Sequence, residues 1–199
     1  MKEEKYILNL KEKFESYSKI TENSWGLLKS IVKFRTLEKD EILLRNGAYA
    51  RNFYFICKGA IRAYIINNNG DIYNKNIFLE NDFAGSKVSL LQSTTSEFVL
   101  EALEKSILIS IDYKKYRKFI NENDDLKLFY IAYLEKQWVI EKEKREISLV
   151  MENATERYLK LLEKHPGIDL RIQKLHIASH LGITPTQLSR IRNKLNKKG

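Results

Sequence analysis

Residues 177–191 read IASHLGITPTQLSRI, and this run predicts two short helices joined by a tight turn. Ile177 and Leu181 are four residues apart and therefore share one helix face. Ala178 lies beside them, and its small side chain lets a second helix cross closely. Gly182 then supplies the backbone freedom that a turn after a helix needs.

The second helix of this pair is expected to start at Pro185, with Thr184 as its N-cap, because proline lacks an amide hydrogen that the first turn does not use. One face is apolar, with Leu188, Ile191 and Leu195 at helical spacing. The other face carries side chains that suit base edges and phosphates. We therefore predict a helix-turn-helix whose second helix enters the major groove of double-stranded DNA. The predicted contact residues are Thr184, Thr186, Gln187, Arg190, Asn193 and Lys194. The alternative is an ordinary helical hairpin with a solvated polar face.

The positive charge is concentrated in the same region. The chain has a formal charge of +9, of which the segment from Glu156 onward carries +7 (ten basic and three acidic residues). Such a segment on a nearly neutral body favours nucleic acid over a membrane surface as the anionic partner. A solubilising tail would explain Lys197 and Lys198, but not Arg190, which lies within the apolar pattern.

Several classes of protein fit the sequence poorly. Cys57 is the only cysteine, so no internal disulfide and no cysteine-ligated zinc or iron–sulfur site can form. All three histidines lie at positions 165 and beyond, which argues against haem or a cupin-like metal enzyme in the preceding region. His176 and His180 have a spacing that metal sites use, but we expect them at the helix surface or near DNA phosphates. With no apolar signal core and no membrane-length run, the expectation is a cytoplasmic protein that is not an enzyme, has no cofactor or metal, and has no membrane partner.

Residues 6–35 show helical periodicity, and Asn23 or Ser24 could cap a second helix there. Residues 37–111 then follow a strand pattern. The expected strands are 41–45, 53–57, 60–66, 72–78, 98–102 and 107–111. Asn69-Gly70 predicts a hairpin, since a type I′ turn needs positive φ at both central positions. Many short strands at regular spacing indicate an antiparallel barrel or roll.

This segment resembles the effector domain of the Crp–Fnr family of bacterial regulators. The resemblance rests on residues 40–47, DEILLRNG, and on residues 53–62, FYFICKGAIR. The predicted helix-turn-helix also looks like that of the family, in the same chain order. The resemblance implies a cyclic-nucleotide-binding-like β-roll followed by a DNA-binding domain.

The family's nucleotide-binding members place a glutamate on the ribose and an arginine on the cyclic phosphate. The corresponding region here supplies the candidate effector pocket Gly85, Ser86, Lys87, Ser96 and Glu97, with Ser86 in place of the glutamate and Ser96 in place of the arginine. A cyclic phosphate facing no cation loses a charge-assisted bond worth roughly 1.5–3 kcal/mol. We therefore expect no response to cyclic AMP in the usual mode. A ligand-free pocket and a re-tuned one, with Lys87 as the cation, remain alternatives.

A long helix is predicted from Leu126 to about Met151, a stretch without Gly or Pro. An approximate heptad seam runs through Leu126, Phe129, Tyr133, Gln137, Ile140, Lys144 and Ile147. In the resembled family this helix pairs with its two-fold mate, so the resemblance implies a dimer interface along these residues. The alternative is a helix buried only on its own β-domain. The chain ends too soon after Leu195 for a β-wing, so phosphate contacts would fall to Lys194, Lys197, Lys198, Arg171 and Lys174.

The sequence thus predicts an α+β chain with three parts: an antiparallel β-roll with flanking helices (1–121), a dimerisation helix (122–151), and a wingless helix-turn-helix domain (152–199). The expected function is a homodimeric regulator that binds a palindromic operator, with RNA polymerase as a candidate partner and the effector unknown. The alternatives are a small-ligand-responsive regulator with an altered pocket and a β-roll interaction module that does not bind DNA.

Overall fold

The structure, a computed structural model, describes residues 2–196. Its helices are α1 (Lys2–Glu15), α2 (Glu22–Ser30), α3 (Lys87–Gln92), α4 (Tyr113–Glu122), α5 (Asp124–Leu134), α6 (Glu141–Met151), α7 (Ala154–Lys164), α8 (Ile168–Arg171), α9 (Lys174–Leu181) and α10 (Pro185–Asn196). Its strands are β1 (Val32–Leu37), β2 (Ile42–Leu44), β3 (Asn52–Lys58), β4 (Ile61–Ile66), β5 (Ile72–Phe78), β6 (Phe83–Ala84), β7 (Val99–Ala102) and β8 (Ser106–Asp112). None of the helices within this range is long and apolar enough to cross a bilayer.

The strands form two four-stranded sheets in the orders β1-β8-β3-β6 and β2-β7-β4-β5, with every pair antiparallel. Fully buried side chains such as Leu37, Ile56, Leu100 and Leu108 form one core cluster with residues from both sheets. The predicted antiparallel β-roll is therefore confirmed, and the six strands read from the sequence lie within a residue or two of their predicted bounds.

The N-terminal region differs from the prediction in two places. Residues 32–35, read as helical, belong to β1, where Val32 pairs with Ile111 and Arg35 with Leu108. Strand pairing overrides the weak helical periodicity there. The N-cap of α2 is Thr21, whose side chain accepts the Ser24 amide at 3.2 Å, and neither Asn23 nor Ser24 takes this position.

The predicted hairpin between β4 and β5 is present, but its turn is not type I′. Of the Asn69-Gly70 pair only Gly70 has positive φ, at 84°. Asn67 organises the loop instead. Its side-chain oxygen accepts the amides of Asn69 and Asp71, each at 2.9 Å, and its carbonyl accepts the Gly70 amide at 3.0 Å.

The chain is helical from Asp124 to Met151, but a π-helical segment, Glu135–Ile140, separates α5 from α6. Leu126, Phe129 and Tyr133 pack in the chain's own core against α1 and the β-roll. Their assignment to an intersubunit seam is therefore corrected. Gln137 is half-buried and donates to the Tyr17 hydroxyl at 3.1 Å, also within the chain.

The second half of this helix differs from the first. α6 contains no buried residue, and the remaining predicted seam residues Ile140, Lys144 and Ile147 are exposed. Val150 and Met151 extend the exposed apolar surface, with exposed fractions of 83% and 76%. The first half is thus built into the β-roll, whereas the second half presents apolar side chains to solvent.

Candidate nucleic-acid interface and effector pocket

The turn between α9 and α10 is built as the sequence predicts. Gly182 ends α9 in the left-handed conformation, with φ at 70°, and its amide donates to the Ser179 carbonyl at 3.2 Å. The Ile183 amide donates to the Ala178 carbonyl at 3.0 Å, which closes the helix end in the manner of a Schellman motif. Ala178 and Leu188 are fully buried, so the two helices cross over small and apolar side chains.

The start of α10 is fixed by a reciprocal cap. The Thr184 hydroxyl accepts the Gln187 amide at 3.2 Å, and the Gln187 side-chain oxygen accepts the Thr184 amide at 2.8 Å. This is the capping-box arrangement, with glutamine at the third helical position. Gln187 therefore has a structural role that its assignment to base contacts did not include. Its side-chain NH₂ group remains a possible donor.

The face of α10 opposite its buried side chains is exposed to solvent. Leu188 is buried, Ile191 and Leu195 are half-buried, and the predicted contact residues are exposed: Thr184, Thr186, Gln187, Arg190, Asn193 and Lys194. The helix thus presents a contiguous polar face with two cations. Lys197 and Lys198 lie outside the described residues.

Two other basic residues of the C-terminal region form ion pairs within the chain. The Arg171 guanidinium forms ion pairs with Glu80, at 2.9 Å, and with Glu104. It is therefore not free for a phosphate, and its predicted role in phosphate contact is corrected. Arg192 donates to the Tyr158 hydroxyl at 2.9 Å and pairs with Asp169 at 3.4 Å, which anchors α10 to α7 and α8.

Helix α9 lies against β5 of the β-roll. The Ser179 hydroxyl accepts the Asn74 amide at 2.8 Å and donates to the Ile72 carbonyl at 3.0 Å, which fastens the helix to the strand. The Nδ1 atom of His180 lies 3.2 Å from the Asn74 carbonyl. Burial lowers the pKa of His180 to about 4, so the ring is neutral at pH 7. These contacts hold His180 between the domains.

A buried ion pair lies beneath the other end of α9. The Arg62 guanidinium binds Glu101 at 2.8 Å, and both side chains are about nine-tenths buried. Arg62 also lies 3.1 Å from Nδ1 of His176. Burial, followed by the Arg62 charge, lowers the pKa of His176. His176 and His180 therefore face the β-roll, and neither lies at the outer surface as predicted.

The five residues predicted to form an effector pocket differ in burial and in contacts. Ser86 and Ser96 are buried, and the Ser96 hydroxyl donates to the Phe98 carbonyl at 2.8 Å. Glu97 is exposed. Gly85 packs so closely on Phe53 that a Cβ atom there would lie 3.0 Å from the Phe53 Cβ.

Lys87 points toward the long helix. Its Nζ lies 4.3 Å from the centroid of the Tyr133 ring and 5.5 Å from that of Trp138. It borders a cavity that includes none of the other four predicted residues. The sequence predicts Lys87 as the cation of a re-tuned pocket, but it gives no sign of this cavity. The cavity walls come from α1, α3, α4, α5, β3, β6 and the π-helical segment.

Residues 34–123 match the family model of the cyclic nucleotide-binding domain. No curated protein matches the sequence. Within the matched residues, the buried Ser86 and Ser96 carry neither an acidic nor a cationic side chain.

Solved structures share the fold over most of the chain. FixK2 from Bradyrhizobium japonicum is 19% identical with a TM-score of 0.70, over 85% of this chain and 86% of that one. CLP from Xanthomonas campestris, a c-di-GMP responsive global regulator, is 18% identical with a TM-score of 0.66, over 90% of this chain and 93% of that one. DNR from Pseudomonas aeruginosa is 24% identical with a TM-score of 0.56, over 94% and 85%. Identities this low establish a common fold only.

Proposed function

We propose that this protein is a homodimeric, sequence-specific DNA-binding transcription regulator of Crp–Fnr type, and not an enzyme. The observation that carries the proposal is the exposed polar face of α10 behind the Gly182 turn. α9, the turn and α10 then act as a helix-turn-helix, with α10 in the major groove. The similarity in fold to DNR, a transcriptional regulator, supports the same function.

Residues on this face divide into two kinds of contact. Arg190 suits a bidentate contact with guanine, and Asn193 suits adenine. Lys194, nearer the end of the helix, suits a phosphate, as do Lys197 and Lys198, which lie outside the described residues. Gln187 contributes by fixing the helix start and through its free NH₂ group.

The exposed apolar side chains of α6 and the π segment support the proposed dimer. Ile140 and Ile147 are seven residues apart and about half exposed. Two copies that pack along this surface would bury such side chains at roughly 25 cal/mol per Å² of apolar area. Pairing also explains how one short helix obtains enough sequence specificity, since two half-sites then lie about one helical turn apart on DNA.

The same reasoning predicts no response to cyclic AMP in the usual mode. Ser96 supplies no positive charge for a cyclic phosphate, and its hydroxyl already donates within the chain. Whether the regulator activates or represses transcription then depends on where its operator lies. RNA polymerase is a candidate partner.

The test is a gel-shift titration of the Arg190→Ala variant on an operator and on random DNA of equal length. Loss of a base contact should cost about 1–3 kcal/mol on the operator and little on random DNA. Arg45→Ala is the matched control, because it removes an exposed arginine from the β-roll. Equal loss on both DNAs would make Arg190 a phosphate contact. Binding without steep salt dependence would favour a protein-docking module instead.

Dimerisation is tested separately by sedimentation of the Ile147→Glu variant. A charge at this position should shift the equilibrium toward monomer, whereas Leu170→Glu, at a residue that is 90% exposed outside α6, should not. A native protein that is monomeric at micromolar concentration would contradict the dimer.

A further inference from the structure

A cavity of about 150 Å³ lies between α3 and the long helix, outside the β-roll interior. Nine of its fourteen lining residues are aromatic, including Phe53, Tyr116, Phe129 and Trp138. Several of these rings meet edge to face; the centroids of Phe53 and Tyr116, for example, are 4.8 Å apart. Such walls present both ring faces and ring edges to anything that enters.

Lys87 is the only charged residue in this lining. Its ammonium group contacts the faces of Tyr133 and Trp138, and no carboxylate among residues 2–196 forms an ion pair with it. Burial alone lowers the pKa of Lys87 to about 8. A cation placed in an apolar wall without a counterion is costly, and such groups are usually paired or serve a ligand.

We propose that this cavity binds a small aromatic monocarboxylate, with its ring among the aromatic walls and its carboxylate on the Lys87 ammonium. The volume limits the ligand to about one ring with a short arm, because apolar cavities of about 150 Å³ accept benzene. A nucleotide is too large. The positive charge selects an anion over a neutral or cationic ring.

The mouth of the cavity supports entry from solvent. Val88 and Leu91 on α3 and Trp138 on the long helix line it and are 55%, 58% and 44% exposed. An incoming ring can therefore reach the interior past side chains that are already partly in water, and its carboxylate can remain near the edge beside Lys87.

The cavity also touches the π-helical segment, because Trp138 lies within Glu135–Ile140. π-helical insertions are frequent at functional sites. A ligand in contact with Trp138 would bear on the helix that we propose for dimerisation. This consequence rests on the proposed function, whereas ligand binding itself does not.

Binding is tested without DNA, by isothermal titration calorimetry of the full chain at pH 7 with phenylacetate, with phenylacetamide as its neutral counterpart and with benzylamine. Phenylacetate should bind saturably, and at least about tenfold more tightly than phenylacetamide, because only it forms the charge-assisted contact. The Lys87→Met variant should lose this preference and bind both weakly. Lys114→Met, at an exposed lysine outside the cavity, should behave as the native protein.

Three results would overturn the proposal. They are no saturable binding of any of the three rings, equal affinity for phenylacetate and phenylacetamide, and a preference for the carboxylate that survives Lys87→Met. The Leu91→Trp variant, which fills the mouth, should also abolish binding while the circular dichroism spectrum stays unchanged. Because no DNA is present in this titration, a negative result would not count against DNA binding. A failure to bind DNA would likewise not count against the ligand site.

Discussion

Substituting methionine for Arg62 should destabilise the protein more than any substitution at an exposed charge. The Arg62 guanidinium makes two hydrogen bonds to the Glu101 carboxylate, at 2.8 and 3.1 Å, and lies 4.1 Å from the Tyr64 ring centroid. Arg62→Met leaves the buried Glu101 carboxylate without a counterion. Removal of one partner of a buried pair typically costs 3–5 kcal/mol, so we expect a loss of about this size.

The pair Arg35–Glu41 provides the control within the same domain. It is 3.3 Å long, but both side chains are 42% exposed, so Arg35→Met should cost about 0–1 kcal/mol. The double variant Arg62→Met/Glu101→Gln should recover part of the loss, because the uncompensated charge is gone.

The free energy of unfolding is measured by urea titration, followed by circular dichroism and by tryptophan fluorescence. The reasoning requires that Arg62→Met shift the midpoint far more than Arg35→Met does. Equal small losses for Arg62→Met and Arg35→Met would show that Arg62 and Glu101 do not interact in solution. The same conclusion would follow if the loss of the double variant equalled the sum of the losses of Arg62→Met and Glu101→Gln measured separately.

Three further predictions concern single positions. Gly59→Ala should cost several kcal/mol of stability, since its φ is 102° and a Cβ would lie 2.2 Å from the Ser106 Oγ. The control Gly47→Ala, where φ is 79° and no atom lies within 4 Å of the added Cβ, should cost only about 1 kcal/mol. Thermal melts measure both losses. Lys87→Met should stabilise the fold by about 1–2 kcal/mol at pH 7, because the free-energy cost of burying the ammonium charge that it removes exceeds the cation–π contact that it loses. Because the folded pKa of Lys87 lies below its ordinary 10.5, native stability should rise between about pH 8 and 10.5, and urea titrations should show this rise vanish in the variant. His180, whose folded pKa is about 4, should lower native stability as pH falls from about 6.5 toward 4, and His180→Asn should flatten that decline; an unchanged slope would contradict the buried position.

The strands and turns were accessible from the sequence because their causes are local. Short apolar runs between Gly- and Asn-containing turns mark β2 to β5. The run from Leu181 to Pro185 contains its own stop, turn and cap. β1 was missed because Val32 and Ile31 fit a helical repeat as well as a strand, and only pairing with β8 decides between them.

The sequence predicts the extent of the long helix but not the residues against which it packs. Periodicity shows that Leu126 and Phe129 are buried, but it cannot tell a partner subunit from the chain's own α1 and β-roll. The π segment has no Gly or Pro to announce it.

The candidate site also combines features that the sequence predicts with contacts that it does not predict. Exposure of Arg190 and Asn193 follows from the faces of one helix, so the sequence sufficed to predict it. The contacts of His176, His180 and Arg171 join residues 67 to 114 positions apart, and nothing local predicts them.

Selection of duplexes from a random pool by the purified full-length protein tests the central claim most directly. An exposed α10 face on each of two paired chains predicts an enriched palindrome with half-sites about one helical turn apart. A pool that stays unenriched after repeated rounds, or a consensus with a single half-site, would contradict the claim that two copies of this helix read DNA together.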